Sequence, residues 1–292
     1  MTLAPREPSG RVRTTDDVEI AYYDLGGTGP DLLLAHATGF CGAVLGPLAA
    51  RLSDRFRCVA FDERGHGLSD RPSDGDFGWY GFAADIAAVV DALALDRPAG
   101  FGHSCGGAAL LLAEEVRPGT FSALYCYEPI MYPDVIPMAP GLDANPLAGG
   151  ALRRREGFGS PAEALANFSG KAPFDQLDAD VLAAYVDNGF GPGEGGIRLR
   201  CRREDEAQVY AHGFAHDAFA HLGAVRCPVT LACGAETDAA GPDFLRILDG
   251  RLPESEVEVF AGLGHFGPME DPDQLGRSVR SALGRSSGTP TA

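Results

Sequence analysis

Short apolar runs alternate with longer amphipathic stretches over most of the chain. Strand-length runs in which most residues are apolar predict buried β-strands. The clearest runs are DLLLAHA (31–37), CVAFD (58–62), AGFGHS (99–104), FSALYCYEP (121–129), CPVTLACGAE (227–236) and EVEVFAG (256–262). Apolar residues spaced three or four apart predict helices between them, at 80–95, 106–116, 241–252 and 272–284. This alternation predicts a mostly parallel sheet covered by helices on both faces.

The alternation breaks between residues 131 and 222, where helix signals occur without convincing strands. The residues SPAE at 160–163 form a capping box with proline at the first helical position, and GPGEGG at 191–196 is typical of a turn-rich loop. An insertion of helices between two strands is well placed to cover the carboxyl edge of a parallel sheet, where such sheets bind ligands. We therefore predict an α/β core of residues 1–130 and 223–285, a helical lid of residues 131–222 and a disordered tail of residues 286–292.

Charge and composition exclude several classes of function. The net charge of −17, with Lys171 as the only lysine, argues against nucleic-acid binding. No apolar run reaches the ~18 residues of a membrane span, and the first residues lack the apolar core of a signal peptide. The seven cysteines are scattered and include no C-x-x-C pair, which suits a reducing compartment. We expect a cytoplasmic monomer or homodimer that acts on a small molecule, without nucleic-acid or membrane partners.

The stretch GHSCG at 102–106 lies between a predicted strand and a predicted helix, and it matches the G-x-S-x-G pattern of a nucleophile elbow. A tight strand-to-helix turn needs neighbours without bulk, which explains Gly102 and Gly106. The turn presents the hydroxyl of Ser104 at the top of the sheet, near the N-terminus of the helix. The backbone N–H of Cys105 can then face a developing oxyanion. We predict that Ser104 is a nucleophile rather than a turn residue.

A serine nucleophile needs a base and an acid that orients the base, and in this architecture they follow the serine in the order acid, then histidine. His265 lies in the glycine-rich loop after the last predicted strand, which makes it the candidate base. Asp238, in the turn after the preceding strand, is the first candidate for the acid. Glu128, at the end of the strand after the nucleophile helix, is the second, and Glu236 is the third.

The second oxyanion donor is expected from the loop after the DLLLAHA strand, where the backbone N–H of Thr38 is the candidate. His36, at the buried end of that strand, is expected to bond nearby backbone. His103, beside the nucleophile, is expected only to pack. The polar stretch FDERGHGLSDRP at 61–72 is expected to tie loops together rather than to perform chemistry.

The motifs HATGF, DERGHGLSDRP, GHSCGG, GAETD and GLGHFGPMEDP, in this order, resemble the α/β-hydrolase superfamily from about Val18 to Leu283. The resemblance implies the α/β-hydrolase fold with a helical cap. It implies that Ser104, Asp238 and His265 are nucleophile, acid and base, and that Thr38 and Cys105 are backbone oxyanion donors. Glu128 resembles the acid of those members that take it from the earlier strand. Ala37 departs from the glycine that is usual at its position in the oxyanion loop of the family.

The expected activity is hydrolysis of a small carboxylic ester, lactone or thioester through an acyl-enzyme. The same triad also serves hydrolytic C–C cleavage and cofactor-free perhydrolysis of the haloperoxidase type, and a non-catalytic ligand receptor is a further alternative. No cofactor is expected, because neither G-x-G-x-x-G match has the right context: GPGEGG follows a predicted helix, and GLGHFG runs into PMEDP rather than opening a helix. No metal is expected either, because His212 and His216 in HGFAH lack the glutamate of a zinc-protease motif and an evident third ligand.

Overall fold

The computed structural model describes residues 6–133 and 145–285 of the chain. Eleven strands occur in this part. They are β1 (Gly10–Arg13), β2 (Glu19–Gly26), β3 (Asp31–Ala35), β4 (Arg57–Phe61), β5 (Ala99–His103), β6 (Ala123–Tyr127), β7 (Gly157–Phe158), β8 (Phe190–Gly193), β9 (Gly196–Leu199), β10 (Val229–Gly234) and β11 (Ser255–Phe260).

Eight of these strands form one central sheet, in the order β1-β2-β4-β3-β5-β6-β10-β11. Six neighbouring strands pair in parallel, in the order β4-β3-β5-β6-β10-β11. At one edge of the sheet, β2 pairs antiparallel with both β4 and β1. Parallel neighbours bring their carboxyl ends to one edge of the sheet, so the loops after β3, β5, β6, β10 and β11 meet there. The mostly parallel sheet that the apolar runs predict is confirmed.

Helices connect the strands and cover the sheet. The described residues contain α1 (Gly46–Leu52), α2 (Trp79–Ala92), α3 (Cys105–Val116), α4 (Pro146–Leu152), α5 (Pro161–Phe168), α6 (Ala179–Gly189), α7 (Arg203–His212), α8 (Ala218–His221), α9 (Pro242–Asp249), α10 (Gly267–Glu270) and α11 (Pro272–Arg285). Helices α2, α3 and α9 pack into one apolar cluster, and α1 and α11 pack into a second cluster.

The two clusters lie on opposite faces of the sheet. Leu33 belongs to the first cluster, whereas its neighbours Leu32 and Leu34 belong to the second. Successive side chains of a strand point to opposite faces, so this division places helices on both sides, as predicted. All three leucines are fully buried, which explains why this strand is a continuous apolar run rather than an alternating one.

The segment between the two parts of the predicted core contains strands as well as helices, which the sequence analysis did not predict. Strands β7, β9 and β8 form a small antiparallel sheet in that order. The glycine-rich stretch 191–196 is not an open loop, because it builds most of β8 and the turn into β9. Gly195 and Gly196 lie at φ 73° and 152°, where glycine is favoured, so the glycines make the tight turn of a hairpin.

Some expectations fall outside the described residues, namely the disordered tail at 286–292 and part of the lid, 134–144. In the part of the chain that the structure covers, no helix is long and apolar enough to cross a membrane. All seven cysteines are buried and free.

Candidate active site

Ser104 occupies the sharp turn between β5 and α3. Its backbone lies at φ 56° and ψ −117°, a conformation that residues other than glycine rarely adopt. The N–H of Ser104 donates to the carbonyl of Tyr127 at 2.9 Å, and its own carbonyl accepts from the N–H of Ala108 at 3.1 Å. Holding a residue in such a conformation costs on the order of 1–3 kcal/mol, and the cost is typically borne at functional sites.

Close packing explains the glycines on either side of Ser104. A Cβ on Gly102 would lie 2.6 Å from the carbonyl oxygen of Gly106, and a Cβ on Gly106 would lie 2.5 Å from the carbonyl oxygen of His36. Neither glycine needs a positive φ. The turn therefore excludes side chains at these positions because backbone approaches backbone.

His265 and Glu128 form a hydrogen-bonded pair at the carboxyl edge of the sheet. The Nδ1–H of His265, in the loop after β11, donates to Oε2 of Glu128 at 2.7 Å. Glu128 directly follows β6 and is fully buried. Its carboxylate also accepts from the N–H groups of Gly234 (3.0 Å) and Ala240 (3.3 Å) and from the hydroxyl of Thr237 (2.7 Å). These donors compensate the cost of burying the carboxylate.

The structure does not place Asp238, the first candidate for the acid, against His265, and it places Glu128, the second candidate, there. Asp238 is exposed in the loop after β10, and no hydrogen bond within 6–133 and 145–285 joins it to His265. Thr237, in the same loop, donates a hydrogen bond from its hydroxyl to the carboxylate of Glu128. The loop expected to carry the acid thus donates hydrogen bonds to an acid from the neighbouring strand. Glu236, the third candidate, is also exposed.

Thr38 and Cys105 line the same cavity as Ser104 and His265. Cys105 is the first residue of α3, so its N–H has no partner inside the helix. Among the hydrogen bonds of the described residues, none uses the N–H of Thr38 or of Cys105. Burial raises the pKa of the Cys105 thiol well above its usual value, so this thiol is protonated. The geometry suits a backbone role for Cys105.

Two buried imidazoles hold the loop that carries Thr38. The Nδ1–H of His36 donates to the carbonyl of Ala37 at 2.8 Å, and its Nε2 accepts from the N–H of Glu63 at 3.0 Å. His66 uses its Nε2 to accept from the N–H of Gly39, and its Nδ1–H donates to the carbonyl of Arg64, both at 3.0 Å. Each imidazole acts as donor and acceptor at once, which the neutral tautomer alone permits. His36 therefore bonds nearby backbone as expected, and His66 ties two loops together.

A sequence profile of the alpha/beta hydrolase family matches residues 32–277. The chain belongs to this family. The 2-(acetamidomethylene)succinate hydrolase of Mesorhizobium japonicum is 29% identical over 249 residues, which cover 82% of this chain and 83% of the relative. A crystal structure of E-2-(acetamidomethylene)succinate hydrolase superposes with a TM-score of 0.82 at 25% identity, covering 94% of this chain and 98% of that one. The enol-lactonase from Burkholderia xenovorans has the same fold, with a TM-score of 0.73 at 20% identity over 94% of this chain and 100% of its own.

The family fold accounts for the predicted architecture, and the matched relatives are hydrolases, which supports an enzyme of the alpha/beta hydrolase type. One further match is partial. The non-heme chloroperoxidase of Streptomyces lividans is 38% identical over 109 residues, which cover 34% of this chain and 36% of the relative.

The cavity of this alpha/beta hydrolase has a volume of about 680 Å³ and opens onto Ser104 and His265. Its wall is largely aromatic and aliphatic, from both the core and the 131–222 segment. The apolar lining includes Phe40, Trp79, Ile130, Tyr132, Leu147, Phe158, Phe168, Phe174, Phe214 and Phe266. The polar groups on the lining are fewer and include Arg154, Arg155, Asn167, Lys171, Glu206 and Asp238. A mostly apolar cavity with a few polar groups is typical of a small-molecule site.

The loop that carries His265 is held from two sides by residues to which the sequence analysis assigned no such role. The Nε2–H of His103 donates to the carbonyl of His265 at 2.8 Å, so His103 does more than pack. The carboxylate of Glu270 accepts from the N–H of Gly264 at 2.9 Å. These contacts restrain the chain on each side of the imidazole. Glu270 lies six residues beyond Gly264 in the motif GLGHFGPMEDP, but the spacing alone does not show that its side chain turns back.

A buried ion pair on the cavity wall is a second feature that sequence reasoning missed. Arg154 pairs with Glu206 and also donates to the hydroxyl of Tyr185. The side chain of Glu206 is 4% exposed and that of Arg154 is 21% exposed. Arg154 and Glu206 are 52 residues apart, so no local pattern could reveal their contact.

Because His36 and His66 are buried without charge, the stability of the fold should fall as the pH falls. Burial lowers the pKa of His36 from 6.5 to about 4, and burial together with His36 lowers that of His66 to about 3. Below pH 6.5 the unfolded chain binds protons that the folded chain does not, so the free energy of unfolding decreases until the folded pKa is reached. Each histidine contributes a slope of about 1.4 kcal/mol per pH unit.

Urea unfolding at a series of pH values between the folded and unfolded pKa values measures this slope. The variant His66→Gln removes one titrating group, so its slope should be shallower than that of the wild type. The matched control is His221→Gln, since the His221 side chain is 54% exposed. Equal slopes for the wild type and His66→Gln would contradict the prediction.

Proposed function

We propose that the protein is a serine hydrolase that cleaves a small carboxylic ester, lactone or thioester through an acyl-enzyme. Ser104 is the nucleophile, His265 the general base and acid, and Glu128 the carboxylate that orients His265. The backbone N–H groups of Cys105 and Thr38 form the oxyanion hole. Glu128 takes the role that the sequence ranking gave to Asp238.

The reaction has two stages. In the first, His265 accepts the hydroxyl proton of Ser104 while the serine oxygen attacks the acyl carbonyl, and the N–H groups of Cys105 and Thr38 stabilise the oxyanion. The leaving group takes the proton from His265 and departs. In the second, His265 deprotonates a water molecule that attacks the acyl-serine, and Ser104 regains its proton as the acid leaves. Glu128 fixes the Nδ1–H tautomer of His265, which leaves Nε2 free to accept the proton.

One observation carries the proposal. Ser104, in a strained strand-to-helix turn, lines the same cavity as His265. The Nδ1 of His265 lies 2.7 Å from the buried carboxylate of Glu128. A carboxylate whose only task was structural would not need to be buried against an imidazole that is partly open to a cavity. The names of two relatives, a 2-(acetamidomethylene)succinate hydrolase and an enol-lactonase, support hydrolysis of a small organic compound.

A fluorophosphonate probe tests the nucleophile directly. The serine oxygen attacks phosphorus, fluoride leaves, and intact-mass and peptide spectra locate the adduct. We expect one adduct on Ser104 in the wild type and none in Ser104→Ala. The control Ser122→Ala removes a serine just before β6, at the end of the strand opposite to Glu128, and should be labelled like the wild type. Absence of labelling in a folded wild type would contradict the proposed function, and so would equal labelling in Ser104→Ala.

Perhydrolysis is a second candidate, favoured by the partial match to a chloroperoxidase. Hydrogen peroxide would then attack the acyl-serine in place of water and release a peracid. Bromination of monochlorodimedone in the presence of acetate, peroxide and bromide detects this product, because the peracid oxidises bromide to hypobromous acid, which transfers the bromine. A rate of peracid formation that exceeds the rate of ester hydrolysis would favour the second candidate. Hydrolytic C–C cleavage is tested separately, by following the hydrolysis of a diketone.

We further propose that residues 131–222 act as a cap, since α4, α5 and the turn before α6 contribute residues to the cavity wall that faces Ser104. Leu147, Phe168 and Phe174 are examples. The cap therefore shapes the acyl pocket, whereas the core supplies the reacting groups.

A further inference from the structure

The positive charges on the cavity wall are unusual for this chain. The protein carries 24 Lys and Arg against 41 Asp and Glu, and its only lysine is Lys171. Lys171 lies on the cavity lining, together with Arg154 and Arg155. All three belong to the proposed cap rather than to the core. In a protein with a net charge of −17, positive groups gathered at one cavity point to an anionic ligand.

The three groups differ in how far the protein neutralises them. Arg155 is bonded to Glu163 at 2.5 Å and stacks over the ring of Phe158 at 4.1 Å. Lys171 donates only to the neutral amide oxygen of Asn167, at 2.6 Å. Within the ranges that the structure describes, no ion pair involves Lys171. Its charge is thus available to a bound molecule.

Arg154 is paired with Glu206, but some of its N–H donors are not used by this pair. A guanidinium carries five N–H donors, and the bonds to Glu206 and to the hydroxyl of Tyr185 use one hydrogen on each terminal nitrogen. Of the two side chains, Arg154 is the more exposed to the cavity. Its remaining donors suit a carboxylate, because the guanidinium fork matches carboxylate geometry.

The Arg154–Glu206 pair also lies next to the reaction centre. A Cβ on Gly39 would lie 2.8 Å from Oε1 of Glu206 and 3.0 Å from Nη1 of Arg154. Gly39 directly follows Thr38, the proposed oxyanion donor. A group bound by Arg154 is therefore close to the acyl group that Ser104 attacks, and Lys171 contributes from the turn before α6.

We propose that the substrate carries a carboxylate in addition to its scissile acyl group, and that Lys171 and Arg154 bind this carboxylate. The inference rests on the proposed function and adds the class of substrate to it. The apolar wall holds the carbon skeleton, while the two cations select an acid derivative over a neutral one.

Three p-nitrophenyl esters of similar length test this inference. They are the mono-ester of adipic acid, which is anionic, the ester of hexanoic acid, which is neutral, and the ester of ε-aminocaproic acid, which is cationic. For the wild type we expect a KM about ten-fold lower for the adipate ester than for the hexanoate ester, the effect of one charge-assisted contact. High salt should reduce this preference, because it screens the exposed ammonium of Lys171.

The variant Lys171→Met should raise KM for the adipate ester about ten-fold and leave the hexanoate ester within two-fold. Lys171→Arg should restore the preference, since it restores the charge. Arg277→Met is the matched control, because it removes one exposed positive charge on α11, away from the cavity lining. Lys171 is itself exposed, so the substitution does not disturb packing.

Arg154 is tested by the ratio of kcat/KM for the adipate and hexanoate esters, measured on the same preparation of Arg154→Gln. This ratio does not depend on the fraction of folded protein, and it should fall about ten-fold. If Arg154→Gln is inactive on the neutral ester, the Lys171 series decides alone.

Several outcomes would overturn the inference and leave the serine hydrolase intact. These are a preference for the neutral or the cationic ester, or a Lys171→Met variant that changes both esters equally or changes neither. Failure to hydrolyse any ester, together with failure of fluorophosphonate labelling, would instead contradict the proposed function. The two failures are therefore distinguishable.

Discussion

Ser104→Ala is expected to lower kcat for the preferred p-nitrophenyl ester by about 10⁶-fold, the loss typical of removing a triad nucleophile. Without the hydroxyl no acyl-enzyme forms, and only the oxyanion donors and substrate binding remain to assist attack by water. Alanine keeps the Cβ of serine and lacks only the Oγ, so the substitution adds no steric demand to the turn at φ 56°. The variant should therefore fold and bind substrate without turning it over.

Single-turnover kinetics and a burst assay measure this loss. The wild type should release a burst of nitrophenolate equal to the enzyme concentration if deacylation is slower than acylation, and Ser104→Ala should show none. Thermal unfolding of both proteins checks that the variant is folded. A folded Ser104→Ala variant that retains activity within ten-fold of the wild type would contradict the assignment of the nucleophile.

Glu128→Gln is expected to lower kcat/KM by about 10⁴-fold, with Asp238→Asn as the matched comparison, which should stay within about two-fold. The amide of glutamine can donate to Nδ1 of His265, which stabilises the wrong tautomer and removes the negative charge that favours the imidazolium. Gln keeps the size of the side chain, and its remaining oxygen can still accept from the N–H of Gly234, so the loss should be mainly in kcat rather than in folding.

The pair of substitutions separates two hypotheses that the sequence left open. If Asp238→Asn caused the larger loss and Glu128→Gln a small one, the acid would be Asp238, and the observed pairing of His265 with Glu128 would not be the catalytic one. Because Asp238 is exposed and Glu128 is fully buried, their substitutions also differ in stability. Urea unfolding of each variant therefore accompanies the kinetics.

The elbow could be predicted because its determinants are local. Gly102, Ser104 and Gly106 lie within five residues, between a strand-length apolar run and a stretch with helical spacing. Gly102 is required by a contact across that same turn, whereas Gly106 is required by the backbone at the end of β3. His265 could be predicted from its position after the last strand of a parallel sheet. Parallel strands end at one edge, so position along the chain gives position at the edge.

The acid could not be decided in the same way. Glu128 and Asp238 both follow strands that end at this edge, and β6 and β10 are neighbours in the sheet. Which carboxylate reaches His265 depends on how the loop after β10 folds, and that loop turns Thr237 toward Glu128 and leaves Asp238 in solvent. The partners His265 and Glu128 are 137 residues apart, so no periodicity links them.

The proposed cap shows a second limit of local patterns. Its helices α5 and α6 are preceded by the N-cap residues Ser160 and Asp178, whose side chains accept from N–H groups of the first turn, and such N-caps are visible in the sequence. The hairpin of β8 and β9 was missed, because glycine-rich residues weaken a strand pattern and the pairing is short.

By itself, the sequence determined the six parallel strands of the core and the main helices between them, the parallel character of the sheet, the serine turn and the loop that carries the histidine. All of these follow from short-range periodicity and from the steric demands of a few adjacent residues. Only the tertiary structure decided that Glu128 lies against His265, that Glu206 and Tyr185 hold Arg154, and that Lys171 lies on the cavity wall. These contacts join residues distant in the chain, and their formation depends on side-chain packing that no local pattern encodes.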